Sequence, residues 1–298
     1  MGVNDMKKLF LTMTASAAVF SLAACSETST EQAVTSTSGE ALSAADVLAK
    51  TIERQQAIDS VSATMETTQN MRVELDSETQ EVKTTMNGTI DTIIEPLALA
   101  MDTTMNMQMG EETIDMPMKM YLNAEQGFFY QDPTSSTWLK LPQAQADAIF
   151  ESANIANVDQ TQQLEQLKEF TNDLTIEEDE DYYVLKLTIE GDKFNTLVRE
   201  QIESMMNSTA GGEPLTEEAL QTAIDAVDIT SGDYEYVVNQ ETFDIQDVLV
   251  HLNMTMDMEG HPMTVETTTN MTFTDYNHLD TIDIPQEVID TAIDATQQ

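Results

Sequence analysis

Cysteine is almost missing from this chain: 298 residues contain only Cys25. A lone cysteine forms no intramolecular disulfide, so the folded part depends on packing. Basic residues are nearly as scarce, 12 Lys and Arg against 54 Asp and Glu, for a formal charge of -42. Nucleic-acid binding needs a basic face to neutralise phosphates, and this composition excludes it. The same imbalance argues against electrostatic adhesion to anionic lipid. Histidine is limited to His251, His261 and His278. Also absent are a Gly-x-Ser-x-Gly elbow, a His-Glu-x-x-His pair, a P-loop and a Gly-x-Gly-x-x-Gly turn, which removes the common nucleophile, zinc and nucleotide signatures. Carboxylates are too abundant for any one pair to mark a hydrolase. No Asp-x-Asp-x-Asp-Gly calcium loop occurs, and Glu177 to Asp181 is predicted as an exposed acidic loop. No cofactor and no metal are expected.

Long apolar runs are missing too, apart from Leu9 to Leu22. That run follows Met6-Lys7-Lys8 and ends in Leu22-Ala23-Ala24-Cys25, and it is too short for a membrane span. The segment resembles a bacterial lipoprotein signal peptide with its lipobox. The resemblance implies cleavage before Cys25, lipidation of its sulfur, and a membrane-anchored protein on the extracytoplasmic face. Two acyl chains burying about thirty methylenes at ~0.8 kcal/mol each would make a lasting anchor. A plain secretory signal with an incidental cysteine is the alternative. Cleavage removes Asp5, Lys7 and Lys8, leaving 10 basic and 53 acidic residues and a net charge of -43. Ser26 to Glu40, rich in Ser, Thr and Glu, is predicted as a flexible tether. The chain thus divides into a leader over 1–24, the lipidated cysteine and tether over 25–41, and one domain over 42–298.

Within that domain, Ser43 to Ile58 is predicted as a helix, with Ser43 and Asp46 in a capping-box arrangement. Period-two alternation then takes over. Val61, Ala63, Met65 and Thr67 begin it, and Met71, Val73 and Leu75 continue it. Val82 to Ile94, Leu97 to Met109 and Ile114 to Leu122 repeat the pattern. Strict alternation of this length marks half-buried antiparallel strands. Turns are placed at Asp76–Gln80, Glu95-Pro96 and Gly110–Glu112. Gly127–Tyr130 and Thr137–Leu141 read as shorter strands. Apolar spacing predicts helices over Ala146–Ala153, Leu164–Phe170, Phe194–Met206 and Ala219–Val227, with a strand at Tyr182–Ile189. Tyr234–Val238, Phe243–Met258 and Met263–Phe273 return to strand, Ile282–Ile284 is a short final strand, and Pro285 opens a terminal helix. The expected fold is α+β, one large curved antiparallel sheet with helices packed on its concave face.

Methionine, by contrast, is abundant at 20 residues. The candidate ligand-lining set is Met65, Met71, Met105, Met107, Met109, Met116, Met118, Met120, Met254, Met256 and Met258. Alternation places each Met-x-Met run on one sheet face. The unbranched, polarizable side chain adapts to irregular apolar contents, such as a lipid, an acyl chain or a hydrophobic peptide. Ordinary packing under the helices explains the same pattern. Thioethers also suit Cu(I), but the spacing follows from strand alternation alone and no His/Met cluster accompanies it.

The segment Tyr121 to Tyr130 followed by Trp138-Leu139-Lys140, and the later hairpin Tyr236 to Phe243, complete the order helix, long strands, helices, strands. In that order the chain resembles the LolA/LolB and LppX lipoprotein-carrier superfamily over roughly residues 42–298. More narrowly, it is similar to Met-rich lipoproteins of Gram-positive bacteria. The resemblance implies a half-open barrel whose concave face holds acyl chains, with no catalytic residues. The expected function is non-enzymatic binding of a lipid or lipoprotein acyl chain by a protein held to the membrane through Cys25, preferably at a Gram-positive surface. A cell-surface interaction or assembly protein with a filled core is the other reading.

Overall fold

Period-two patterning becomes strand almost wherever the sequence shows it. The computed structural model describes residues 33–35, 41–75, 78–110, 112–143, 145–146, 164, 167–170, 173–190, 227–258 and 261–295. All belong to one unit, Glu31–Gln298. The expected leader, Cys25 and the helices over 147–153, 194–206 and 219–226 lie outside the described residues.

A small hairpin-like pair, β1 (Ala33–Thr35) and β2 (Ala41–Ser43), precedes α1 (Ala44–Gln55). The stretch expected as an irregular tether thus contains one paired strand. Next come β3 (Ser60–Leu75), β4 (Glu78–Ile93), β5 (Ala98–Met109), β6 (Glu112–Asn123), β7 (Gly127–Gln131) and β8 (Trp138–Lys140). Leu164 and Leu167 are helical, as predicted, and Lys168–Phe170 forms a 3-10 turn. β9 (Leu174–Asp179), β10 (Tyr182–Glu190), β11 (Val227–Asn239), β12 (Ile245–Met258) and β13 (His261–Thr274) follow, then α2 (Gln286–Thr291) and β14 (Ile293–Asp294).

Twelve of these strands form one sheet in the order β14-β8-β7-β6-β5-β4-β3-β13-β12-β11-β10-β9. Its neighbours are antiparallel except for the β14–β8 pair. No pairing joins β14 to β9, so the curved sheet is an open one. Sixteen residues in β3 and again in β4 give strands about 50 Å long at roughly 3.3 Å per residue.

α1 starts as its sequence dictates. The Ser43 hydroxyl accepts from the Asp46 N–H at 3.2 Å, and the Asp46 carboxylate accepts from the Ser43 N–H at 2.9 Å. These bonds hold the Asp46 carboxyl below its ordinary range. The helix buries Val47, Leu48 and Ile52 against Leu174, Ile176, Tyr183, Leu185, Tyr236 and Val238 of β9, β10 and β11, with Leu164, Leu167 and Phe170 in the same core. Arg54 fastens its far end to Asp244, just before β12, at 2.6 Å. Among the described residues no helix is long and apolar enough to cross a membrane.

Three expectations need correction. Glu177 to Asp181 is not simply a loop: Leu174–Asp179 is strand β9, and only Glu180 and Asp181 make the turn to β10. The acidic side chains obscured an alternation whose apolar members are Leu174 and Ile176. Val227 opens β11 instead of ending a helix, and a register shift between Ile229 and Ser231 breaks the period there. Ile282–Ile284 is not a strand, and the last strand is β14. This segment runs along the sheet and bonds to side chains: Asn123 Nδ2 donates to the Ile282 carbonyl at 3.0 Å, and the Ile284 N–H donates to Gln126 Oε1 at 3.1 Å. Ile282 packs on Ile93 and Ala98, and Ile284 packs with Phe129 and Val288.

Candidate functional site: the methionine face

In a sheet, directly opposed residues share a face, so register decides which methionines meet. Met65 on β3 is opposite Gly88 and Met271, and Met71 is opposite Val82 and Val265. Met105 lies between Met86 and Met116, Met107 between Thr84 and Ile114, and Met109 between Val82 and Glu112. Met118 opposes Thr103 and Met120 opposes Met101. Met254, Met256 and Met258 oppose Val265, Met263 and His261. All eleven candidate methionines therefore stand on one face. Met86, Met101, Met263 and Met271 join them; their parity within the same strands was the signal that would have included them.

The two faces differ sharply in charge. On the methionine face the charged strand residues are Glu78, Glu112 and Glu178, each at or next to a strand end. The opposite face carries Glu66, Arg72, Lys83, Asp102, Lys119 and Glu266 among others. Arg72–Glu81 at 2.9 Å and Lys119–Asp102 at 2.6 Å are cross-strand pairs there, each exposed and worth less than about 1 kcal/mol. His251 belongs to that polar face as well: Nδ1 meets Thr268 Oγ1 at 2.9 Å and Nε2 meets Asn253 Nδ2 at 3.2 Å. The imidazole thus stands apart from the thioethers. Among the described residues no group of three or more His, Cys, Asp or Glu is placed to hold a metal.

The methionine face has two halves. Over β9 to β11 and the start of β12 it is core, filled by α1 with Leu164, Leu167 and Phe170, while Val250, Leu252 and Met254 farther along β12 are half-buried at its margin. Tyr236 is buried there and Tyr234 half-buried; burial holds the Tyr234 hydroxyl up at about 12 and raises Tyr236 as well. Over β3 to β6 the side chains are half-buried: Met65, Met71, Met86, Met101, Met105, Met107, Met116, Met118 and Met120 all retain accessible surface, and Met109 is 42% exposed. Met263 and Val265, in between, are buried. The accessible half has the character of a ligand-binding wall, mostly apolar with a few polar groups. A groove of about 850 Å³ at the hairpin ends belongs mainly to the opposite, polar face, where Arg72, Thr79, Glu81, Lys83, Thr264 and Glu266 line it.

Gly88 allows a close approach of two strands in this half. A Cβ there would sit 2.2 Å from the Asp102 carbonyl oxygen and 2.5 Å from Thr103 Cα. The β5 backbone, paired beside β4 with Thr103 opposite Gly88, lies so close here that only glycine fits. Thr103 is sealed into the contact and donates its hydroxyl to the Met118 carbonyl at 3.3 Å.

Two hairpin turns, between β6 and β7 and between β11 and β12, share one device. Asn123 Oδ1 accepts from the N–H groups of Glu125 and Gln126 at 2.9 and 3.2 Å. Asn239 Oδ1 does the same for Glu241 and Thr242 at 2.9 and 3.0 Å. Such side-chain turns fix hairpin register and hence which face each methionine takes.

A match to the family of unknown function DUF6612 extends over residues 43–293. The chain belongs to that family. No curated protein matches it significantly. Among solved structures, this DUF6612 chain is similar to a LolA superfamily protein from Nitrosomonas europaea, at 14% identity and a TM-score of 0.19, over 83% of this chain and 97% of that one. It is also similar to a β-barrel-like protein of domain of unknown function DUF1849 from Brucella abortus, at 8% identity and a TM-score of 0.21, over 72% and 98%. A DUF1329 family protein from Desulfovibrio piger matches at 10% identity and a TM-score of 0.18, over 80% and 94%. At such TM-scores these likenesses carry nothing beyond themselves, and the open sheet rests on its own register.

Proposed function

We propose that this protein is a non-enzymatic, extracytoplasmic lipoprotein, anchored through lipidated Cys25, that holds a lipid or lipoprotein acyl chain against its methionine face. One observation carries the reading. The face is free of charge except at strand ends, rich in methionine, and left half-buried over β3 to β6, while the opposite face takes the ionic residues. Water-facing strands of so acidic a chain have no need of such a surface, and an acyl chain covering it would gain roughly 25 cal/mol per Å² of apolar area removed from water. Thioether side chains adapt to acyl chains of differing length and kink.

The test is native mass spectrometry of the full chain carrying Cys25→Ser, produced without lipidation. A bound lipid of one class, retained through purification and identified by extraction, is the expected result. A chain that emerges empty and takes up no added lipid would refute it. The second reading, an interaction protein with a filled core, draws on the burial of Met263 and Val265 at 5% and 2% exposure. It predicts that empty chain, together with a protein partner captured by crosslinking.

A further inference from the structure

Five polar side chains interrupt the methionine face at one place. In one cross-strand row Thr269 and Thr67 sit between Val250 and Met86; in the next, Thr267, Gln69 and Thr84 sit between Leu252 and Met107. Apolar residues enclose them along the strands too. Met254, Val265, Met71 and Val82 lie on the hairpin side, and Met271, Met65 and Gly88 on the other. The patch is three strands wide and two residues deep, about 10 Å by 7 Å at sheet spacing. All five side chains are half-buried.

Their bonding leaves capacity over. Thr67 Oγ1 and Thr269 Oγ1 are 3.1 Å apart and share one hydrogen bond, so one hydroxyl proton of the pair remains to be given. Gln69 Nε2 donates to Thr267 Oγ1 at 3.4 Å, which leaves the second amide proton, the amide oxygen and the Thr267 proton. Cross-strand threonine pairs support sheets on their own. A pair of rows that also includes a glutamine and two more threonines, ringed by methionine and valine, does more: it offers neutral donors and acceptors at the centre of an apolar wall.

We infer that this patch receives an uncharged ester or amide linkage lying between hydrocarbon arms, as in a diacylglycerol, and so sets the ligand class of the face. The inference rests on the acyl-binding reading above. Apolar surface on all sides of the patch fits a polar group internal to the ligand, with arms running toward β6 and toward the hairpin ends. Charge complementarity narrows the class further. Among the described strands no Lys or Arg stands on this face to meet a phosphate or carboxylate, and its acidic strand-end residues, such as Glu112 and Glu178, would repel one.

The test uses the full chain with Cys25→Ser and three probes: dioleoylglycerol, dioleoylphosphatidylglycerol and hexadecane. The unaltered face should take dioleoylglycerol in preference to the anionic lipid. Thr67→Val combined with Thr269→Val keeps shape and removes both hydroxyls. Affinity for dioleoylglycerol should fall about ten-fold, as for loss of one or two neutral hydrogen bonds, with hexadecane unaffected. Thr68→Val with Thr268→Val, on the opposite face, should change neither. Gln69→Met provides a second variant should the double valine fail to fold. Unchanged dioleoylglycerol affinity, an equal loss for hexadecane, or equal affinity for the anionic lipid would overturn the inference while leaving acyl binding intact. Failure of every probe, hexadecane included, would overturn both.

Discussion

Tyr183 and Tyr276 serve the same core in opposite ways. Tyr183 is fully buried, stacks on Phe243 at 6.2 Å, and its hydroxyl has no hydrogen-bond partner among the described residues. Tyr276 donates its hydroxyl to the Ile245 carbonyl. Tyr183→Phe should therefore leave stability unchanged or raise it by up to about 1 kcal/mol, and Tyr276→Phe should lower it by about 1 kcal/mol. Urea unfolding of the two variants checks the contrast; equal losses would contradict it. The tyrosines also set an alkaline limit. Burial holds Tyr234 up at about 12, burial and the neighbouring Tyr234 raise Tyr236, and burial and Asp244 raise Tyr276, all from an ordinary value of 10.0. Unfolded, each loses its proton near that ordinary value, so the folded state binds more protons above it. Their contribution is complete below pH 10 and is lost as the pH climbs through the raised values. The urea midpoint should fall between pH 10 and 12; a flat profile there would show that these hydroxyls are not desolvated.

At the scale of elements, Gly88 is the most demanding position. Gly88→Ala must push β4 and β5 apart, since the added carbon meets backbone, and overpacking of this kind costs about 1–3 kcal/mol. A thermal melt of the variant measures it, and an unaltered Tm would mean that the strands are not in such close approach. How legible the elements were depends on how cleanly polarity alternates. β3 to β6, β12 and β13 were readable because apolar residues, methionine and valine above all, alternate with mostly polar ones over ten or more positions, and α1 because Ser43 and Asp46 announce its start. β9 was obscured by its acidic outer residues, and the first half of β11 by Ser231, Gly232 and the register shift beside them. The path of Leu279 to Ile284 depends on distant side chains such as Asn123 and Gln126, which no local pattern reveals. The site was readable for the same reason as the sheet. Its polar centre was not, because Thr67, Gln69 and Thr269 become neighbours only through the pairing of β3 with β13, some 200 residues away in sequence.

For the molecule as a whole, the charge of -42 comes from 54 acidic residues set against 12 basic ones. Self-repulsion of this size weakens the compact state, and salt screens it. Stability should rise as sodium chloride is increased from about 0.01 M to about 0.5 M, read as an upward shift of the urea midpoint; a downward shift would mean that attractive pairs such as Arg54–Asp244 outweigh the repulsion. The same carboxylates leave the methionine face as the one broad uncharged surface among the described strands, which makes it the centre of the functional account. A photoreactive fatty acid incubated with the full chain carrying Cys25→Ser, followed by mapping of the labelled peptides, tests that account most directly. Adducts concentrated on Met101, Met105, Met107, Met116 and Met118 would support it. Adducts on Thr104, Asn106 and Asp115, which face the other way, or no saturable labelling at all, would contradict it.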